Sequence, residues 1–135
     1  MLSDPQLHYL DNAATTRIDP AGTEVIHDAL VELWANPSSL YDPAVAAQDG
    51  IDTARARIAR TLHCRKDEIY FTGCGTEGNN MAIWGAAMPR RAWGRKVVVT
   101  GFEHPSVQLA ARALQREGFE IVEIRPEADG RIDTE

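Results

Sequence analysis

At 135 residues, with 44% hydrophobic and 25% charged side chains, the chain has about one domain's worth of material and enough apolar content to bury a core. Its formal net charge of −6, with arginines scattered along helical segments, argues against a nucleic-acid or anionic-membrane surface, since either needs clustered Lys and Arg. No apolar run approaches the roughly 20 residues of a membrane span, and Met1-Leu2-Ser3-Asp4-Pro5 lacks the basic start and apolar middle of a signal peptide, so the chain reads as cytoplasmic. Cys64 and Cys74 stand in no C-x-x-C spacing, and His8, His27, His63 and His104 are dispersed; neither a disulfide framework nor a metal motif is suggested.

In chain order, His8 to Leu10 can form a short strand, and Asp11-Asn12-Ala13-Ala14-Thr15-Thr16 suits a turn or site-lining loop. Asp19-Pro20 is a cap and first-turn pair. The apolar residues Val25, Ala29, Leu30 and Leu33 then share one helical face through Trp34. Asn36-Pro37-Ser38-Ser39 breaks that helix. Asp42-Pro43 repeats the start signal, and Ala47, Ile51, Ala54, Ile58 and Leu62 follow as the apolar stripe of an amphipathic helix of about five turns. Arg55, Arg57 and Arg60 fall elsewhere, on a solvated face.

The most informative stretch runs from Glu68 to Ile83. Ile69 to Thr72 is β-branched and aromatic, as strands prefer, and Met81 to Met88 is an apolar run of helical length. Between them Gly73 and Gly75 permit a tight turn and close backbone approach. Thr76 and Glu77 then occupy the first helical turn, whose N–H groups have no internal partner and whose dipole is positive, so an anion such as a phosphate suits the place. A plain strand-to-helix connection with a cap is the alternative without a ligand. A P-loop is disfavoured because no Gly-Lys-Ser/Thr follows. Gly73, Gly75 and Gly78 also match the dinucleotide fingerprint G-x-G-x-x-G, although more than sixty residues precede it where that fingerprint normally opens its domain.

Lys96 to Thr100 reads as a buried strand, ended by Gly101-Phe102-Glu103-His104-Pro105-Ser106. Val107, Ala110, Ala111 and Leu114 make a helix that stops near Gly118, and Phe119 to Ile124 is the next strand. Strand, helix, strand, helix, strand predicts an α/β layer with parallel pairing. In such sheets ligands sit beyond the carboxyl ends of the strands, where both the glycine turn and His104 are expected. After Ile124 the chain passes an Asp129-Gly130 turn and stops at what reads as the cap of a further helix, which suggests a fragment.

Taken together, Tyr9-Leu10-Asp11-Asn12-Ala13-Ala14-Thr15-Thr16, Asn36-Pro37-Ser38-Ser39, Phe71-Thr72-Gly73-Cys74-Gly75-Thr76-Glu77-Gly78-Asn79-Asn80 and Glu103-His104-Pro105-Ser106-Val107 resemble, in order and spacing, the N-terminal part of a cysteine desulfurase of the pyridoxal-phosphate fold-type-I group, also called class V aminotransferases. The resemblance implies a three-layer α/β fold, a mainly parallel sheet flanked by helices, of which this is the N-terminal part. Residues 1–65 would be a helical segment with substrate-side loops, and residues 66–135 the start of the large cofactor-binding domain.

It also implies roles. Gly75 and Thr76 would bind the phosphate of pyridoxal 5'-phosphate, and His104 would cover the pyridine ring and assist proton transfers. Asn12, Ala13, Ala14, Thr15 and Asn36 would line the substrate side. Cys74 is read as a small packing residue rather than the sulfur-accepting nucleophile, with a reactive role left open by the helix-start field. The implied reaction takes sulfur from L-cysteine, giving L-alanine and an enzyme-bound persulfide for iron-sulfur cluster assembly or another sulfur-transfer pathway. The implied partners are a sulfur-acceptor or scaffold protein and a second copy in a homodimer. Three departures stand out. The Schiff-base lysine and its Ser-x-His context are absent, Lys66 and Lys96 being the only lysines. Tyr41 stands where the family often has histidine, and Ala44 where it has glycine. The rivals are a dinucleotide-binding module built on Gly73, Gly75 and Gly78, and a catalytically inactive split subunit.

Overall fold

The structure, a computed structural model, describes residues 8–132. The first residues, Met1 to Pro5, and the expected helix cap after Ile132 lie outside them. The chain divides into two compact units, Met1–Ile69 and Tyr70–Glu135, and each is described by itself.

The first unit contains α1 (Pro20–Glu32) and α2 (Asp42–Thr61), followed by a short 3-10 turn, Lys66–Glu68. Helix α1 begins as its Asp-Pro pair predicts, whereas at α2 the pair falls one position later: Tyr41 is the N-cap without a side-chain cap, and Asp42 and Pro43 lie in the first turn. Asp19 caps α1, its Oδ1 accepting the Ala21 amide at 2.9 Å, with Pro20 in the first turn where a missing N–H costs nothing. Replacing Asp19 with alanine is expected to destabilise the protein by about 1 kcal/mol, measured as a lower denaturant midpoint.

Helix α1 ends at Glu32, short of the expected Trp34, and Leu33 leaves helical geometry at φ −109° and ψ 37°. Leu33 lies over α2 at Gly50, where an added Cβ would come within 2.7 Å of its Cδ1. The α2 stripe is corrected in detail: burial falls on Ala44, Ala47 and Ala59, whereas Ile58 and Leu62 stay exposed. The small side chains of Ala44, Ala47 and Ala59 are covered by what this unit has to offer, although Ala54 is not. The long ones reach past it.

The 3-10 turn is fastened by Glu68, which accepts the Arg65 amide at 2.7 Å, and by a two-point pair of Arg65 with Asp67. The Arg65 side chain holds the Asp67 carboxyl below its ordinary value near 3.8. A depressed carboxylate contributes stability that is present above its unfolded pKa and lost as pH falls through the folded one. An NMR titration of the Asp67 carboxyl carbon should therefore show a midpoint below 3.8, and Arg65→Ala should raise it toward that value.

The second unit holds α3 (Gly75–Arg90), β1 (Lys96–Thr100), α4 (Pro105–Ala113), a 3-10 turn Leu114–Glu117, and β2 (Glu120–Ile124). β1 and β2 pair in parallel, Lys96 opposite Glu120 through Thr100 opposite Ile124, with α4 in the crossover. Gly118 ends the 3-10 turn at φ 82°, a left-handed conformation that favours glycine, and Arg95 Nη1 would lie 2.8 Å from an added Cβ there. The core comprises Ala110, Ala111, Leu114 and Phe119, with Ser106 as its buried polar member.

Two expected strands do not form among the described residues. Neither His8 to Leu10 nor Ile69 to Thr72 enters a ladder, although Ile69 is extended at φ −98° and ψ 122°. β-propensity makes a segment extended, but a strand also needs a neighbour for its backbone groups. The Asp129-Gly130 turn does form, with the Gly130 amide on Glu127 O at 2.9 Å.

Candidate functional site

The site is built around the start of α3. Cys74 occupies the N-cap position at φ −165° and ψ 169° and supplies no side-chain cap. The first intrahelical bond is Gly78 N–H to Cys74 O at 3.2 Å, so the amides of Gly75, Thr76 and Glu77 precede it. Glu77 turns its carboxylate back onto the Gly73 amide at 2.7 Å, which fastens the turn from behind. Thr72 fixes the other flank, its hydroxyl donating to Cys74 O at 3.2 Å. An added Cβ at Gly75 would meet nothing within 4 Å, and Thr76 is exposed. The turn thus presents outward-facing amides, a positive helix end and open space to an anion. Cys74 is exposed, which corrects its reading as a packing residue.

His104 follows β1 and is the N-cap of α4. Its Nδ1 accepts the Ser106 amide at 3.2 Å and lies 2.7 Å from Ser106 Oγ. Ser106 Oγ accepts in turn from Asn79 Nδ2 at 2.8 Å. Asn79 sits one turn along α3 from Gly75, on the helix that opens the glycine turn, so imidazole and turn are joined through two hydrogen-bonded side chains within one unit. Ser106 is buried while the His104 ring is exposed, so the anchoring atoms are sheltered and the ring is left accessible. Glu103 is engaged otherwise, with Thr100 donating to its Oε1 at 2.6 Å. A groove of about 530 Å³ between α3 and β1 is lined by Ile83, Ala87, Val97, Val99 and Val107 among others, and neither Gly75 nor His104 lines it.

The remaining expected site residues belong to the first unit. Asn12, Ala13 and Ala14 form an exposed turn, closed by the Ala14 amide on Asp11 O at 3.1 Å and tied by Tyr9 OH to Asp11 O at 2.9 Å and Thr15 O at 3.0 Å. Asn36 shapes its own loop, its Oδ1 accepting the Ser38 amide at 2.9 Å. Asn79 and Ser106 stand within the motifs, but nothing local in the sequence gives them a role. The available signal was their offset, Asn79 four residues after Gly75 and Ser106 two after His104.

A parallel βαβ unit, an open glycine-turn helix start and a histidine past β1 together make an arrangement suited to an anionic ligand. The model of the family described as Aminotransferase class-V matches residues 8–135, and the chain belongs to that family. Curated relatives include a NifS/IcsS protein homolog of Lactobacillus delbrueckii subsp. bulgaricus, 35% identical over 94% of this chain and 33% of its own length. A cysteine desulfurase of Nostoc sp. is 36% identical over 93% of this chain and 31% of its own length. The chain therefore spans about a third of the curated relatives it matches.

Similar solved structures include a NifS-like protein, with a TM-score of 0.74 and 30% identity over 84% of this chain and 31% of that one. SspA in complex with cysteine has a TM-score of 0.74 and 32% identity over 89% of this chain and 35% of that one. With these neighbours the α/β assignment holds, and the chain corresponds to a part of the larger fold. Membership of the family implies dependence on pyridoxal phosphate. The residues present fit its phosphate: amides without a side-chain cap, free volume at Gly75 and a hydroxyl at Thr76 converge on one helix end.

Proposed function

We propose that the chain is the N-terminal part of a pyridoxal-phosphate-dependent cysteine desulfurase, with residues 1–65 on the substrate side and residues 66–135 beginning the cofactor domain. The observation that carries the proposal is the open first turn of α3, tied through Asn79 and Ser106 to an accessible imidazole. Gly75 and Thr76 hold the phosphate through backbone amides and one hydroxyl, which costs little reorganisation because the turn is already fastened by Glu77 and Thr72. His104 covers the ring with its flat face and serves proton exchange through Nε2, the nitrogen turned away from Ser106. Pyridoxal phosphate, when bound, supplies an electron sink for negative charge at the substrate α-carbon.

Asn12 to Thr15 and Asn36 line the substrate side, their loops held by their own hydrogen bonds before substrate arrives. L-cysteine as substrate is supported by the relatives' names and by the neighbour described in complex with cysteine. The lysine that anchors the cofactor lies outside this sequence: Lys96 pairs with Glu120 at 3.6 Å in the sheet, and Lys66 lies in the 3-10 turn of the first unit. The protein acts as a cytoplasmic homodimer and hands sulfur to an acceptor or scaffold protein. Among the described residues no helix is long and apolar enough to cross a membrane.

The test uses the full-length protein. With pyridoxal phosphate, L-cysteine and an added thiol reductant it should develop the visible absorbance of bound cofactor and release alanine together with an equal amount of sulfide, the thiol supplying the two electrons that reduce the persulfide. Binding of a nicotinamide or flavin dinucleotide in place of pyridoxal phosphate would instead favour the G-x-G-x-x-G reading. A companion polypeptide carrying the missing lysine would favour a split subunit.

A further inference from the structure

The hydrogen bonds around His104 run in one direction only. A backbone amide is always a donor, so Ser106 N–H pointing at Nδ1 at 3.2 Å requires a lone pair on that nitrogen. A hydrogen on Nδ1 would face the amide hydrogen. Ser106 Oγ, 2.7 Å from the same nitrogen, must then donate its hydroxyl hydrogen to Nδ1. Having done so, it can only accept from its other neighbour, and Asn79 Nδ2 at 2.8 Å is a donor. The order amide, hydroxyl, imidazole is therefore fixed from the α3 side, and Ser106 is 7% exposed, so water has little access to substitute for either partner.

We propose that Asn79 and Ser106 are positioning residues that hold neutral His104 as its Nε2–H tautomer, so that it meets the bound cofactor and substrate as a hydrogen-bond donor through Nε2. This role rests on the proposed function only for what His104 faces; the tautomer itself is a property of this chain's own residues. It also explains why a histidine, an unusual N-cap, stands at the start of α4. Cap acceptor and oriented ring are two uses of one nitrogen. Because Asn79 lies on the helix whose first turn receives the phosphate, the same helix positions the headgroup and sets which ring nitrogen bears the hydrogen.

The experiment is ¹⁵N-histidine NMR on the full-length protein, with and without pyridoxal phosphate, at a pH of about 8 or above where an ordinary imidazole is neutral. The His104 signals are assigned by their loss in His104→Gln. Long-range proton couplings should identify Nδ1 as the bare nitrogen in both samples. Asn79→Asp reverses the relay, because a carboxylate accepts the Ser106 hydroxyl hydrogen and turns a lone pair toward Nδ1; the Nδ1–H form should then rise severalfold. Ser106→Ala fits the same buried space without its hydroxyl and should also raise it, by less, because the amide remains. A wild-type His104 carrying its hydrogen on Nδ1 would overturn the proposal, as would an unchanged tautomer in both folded variants. Failure of pyridoxal phosphate to bind, with the Nε2–H form intact, would remove the proposed function and leave the relay standing.

Discussion

Replacing Gly75 with aspartate in the full-length protein is expected to weaken pyridoxal phosphate binding by about a hundredfold or more while leaving the fold as stable as before or slightly more so. The two effects have opposite signs because they act on different charges. A carboxylate about 5 Å from a phosphate, at an effective dielectric near 20, opposes it by about 3 kcal/mol per unit of charge, which is more than a hundredfold in affinity. Toward the helix the same carboxylate is favourable, since it sits at the positive end of α3 and contributes about 0.3–1 kcal/mol. The side chain starts into open space, for an added Cβ at this position meets nothing within 4 Å. Gly75→Ala separates charge from bulk and should bind far better than the aspartate variant. Equilibrium dialysis against pyridoxal phosphate and a denaturant melt read the two effects independently. Undiminished binding by Gly75→Asp would show that the phosphate rests elsewhere.

Leu114→Ala should cost about 3 kcal/mol, a large part of the stability of a small domain. Leu114 is 0% exposed and stands out as the one large side chain among the described residues that is completely enclosed. It lies where α4 passes into the 3-10 turn, and its carbonyl accepts the Phe119 amide at 3.2 Å just before β2 begins. A cavity at that point would loosen the link between the helix that carries His104 and the strand that pairs with β1. The measurement is the shift in denaturant midpoint of the full-length protein. A loss under about 1 kcal/mol would mean that the site collapses around the smaller side chain.

Much of the local design could be read from the chain without coordinates. Asp19-Pro20 and Asp42-Pro43 announce helix starts because capping and proline geometry act within a few residues. Gly118 announces a helix end because its conformation is positive in φ, and the glycine turn before α3 is recognisable because the need of a helix start for acceptors is a local property. The order and spacing of four motifs are specific enough to point to the family to which the chain belongs.

The misses share a cause. Ile69 to Thr72 has the composition of a strand, yet a ladder requires a partner that composition does not name, and among the described residues it has none. Ile58 and Leu62 follow a helical stripe, yet whether a stripe is covered depends on what lies against it. The relay from Asn79 through Ser106 to His104 spans 27 residues between its first two members, so no window of sequence contains it.

From the sequence alone came the identity of the parts: two helices with Asp-Pro starts, a glycine turn able to hold an anion, a histidine past a strand, and the order that marks the family. Only the tertiary structure decided how those parts are joined, because hydrogen-bond direction is set by which donors and acceptors meet across α3 and α4. That meeting gives Asn79 and Ser106 their roles and leaves Nε2 of His104 as the nitrogen that carries the hydrogen.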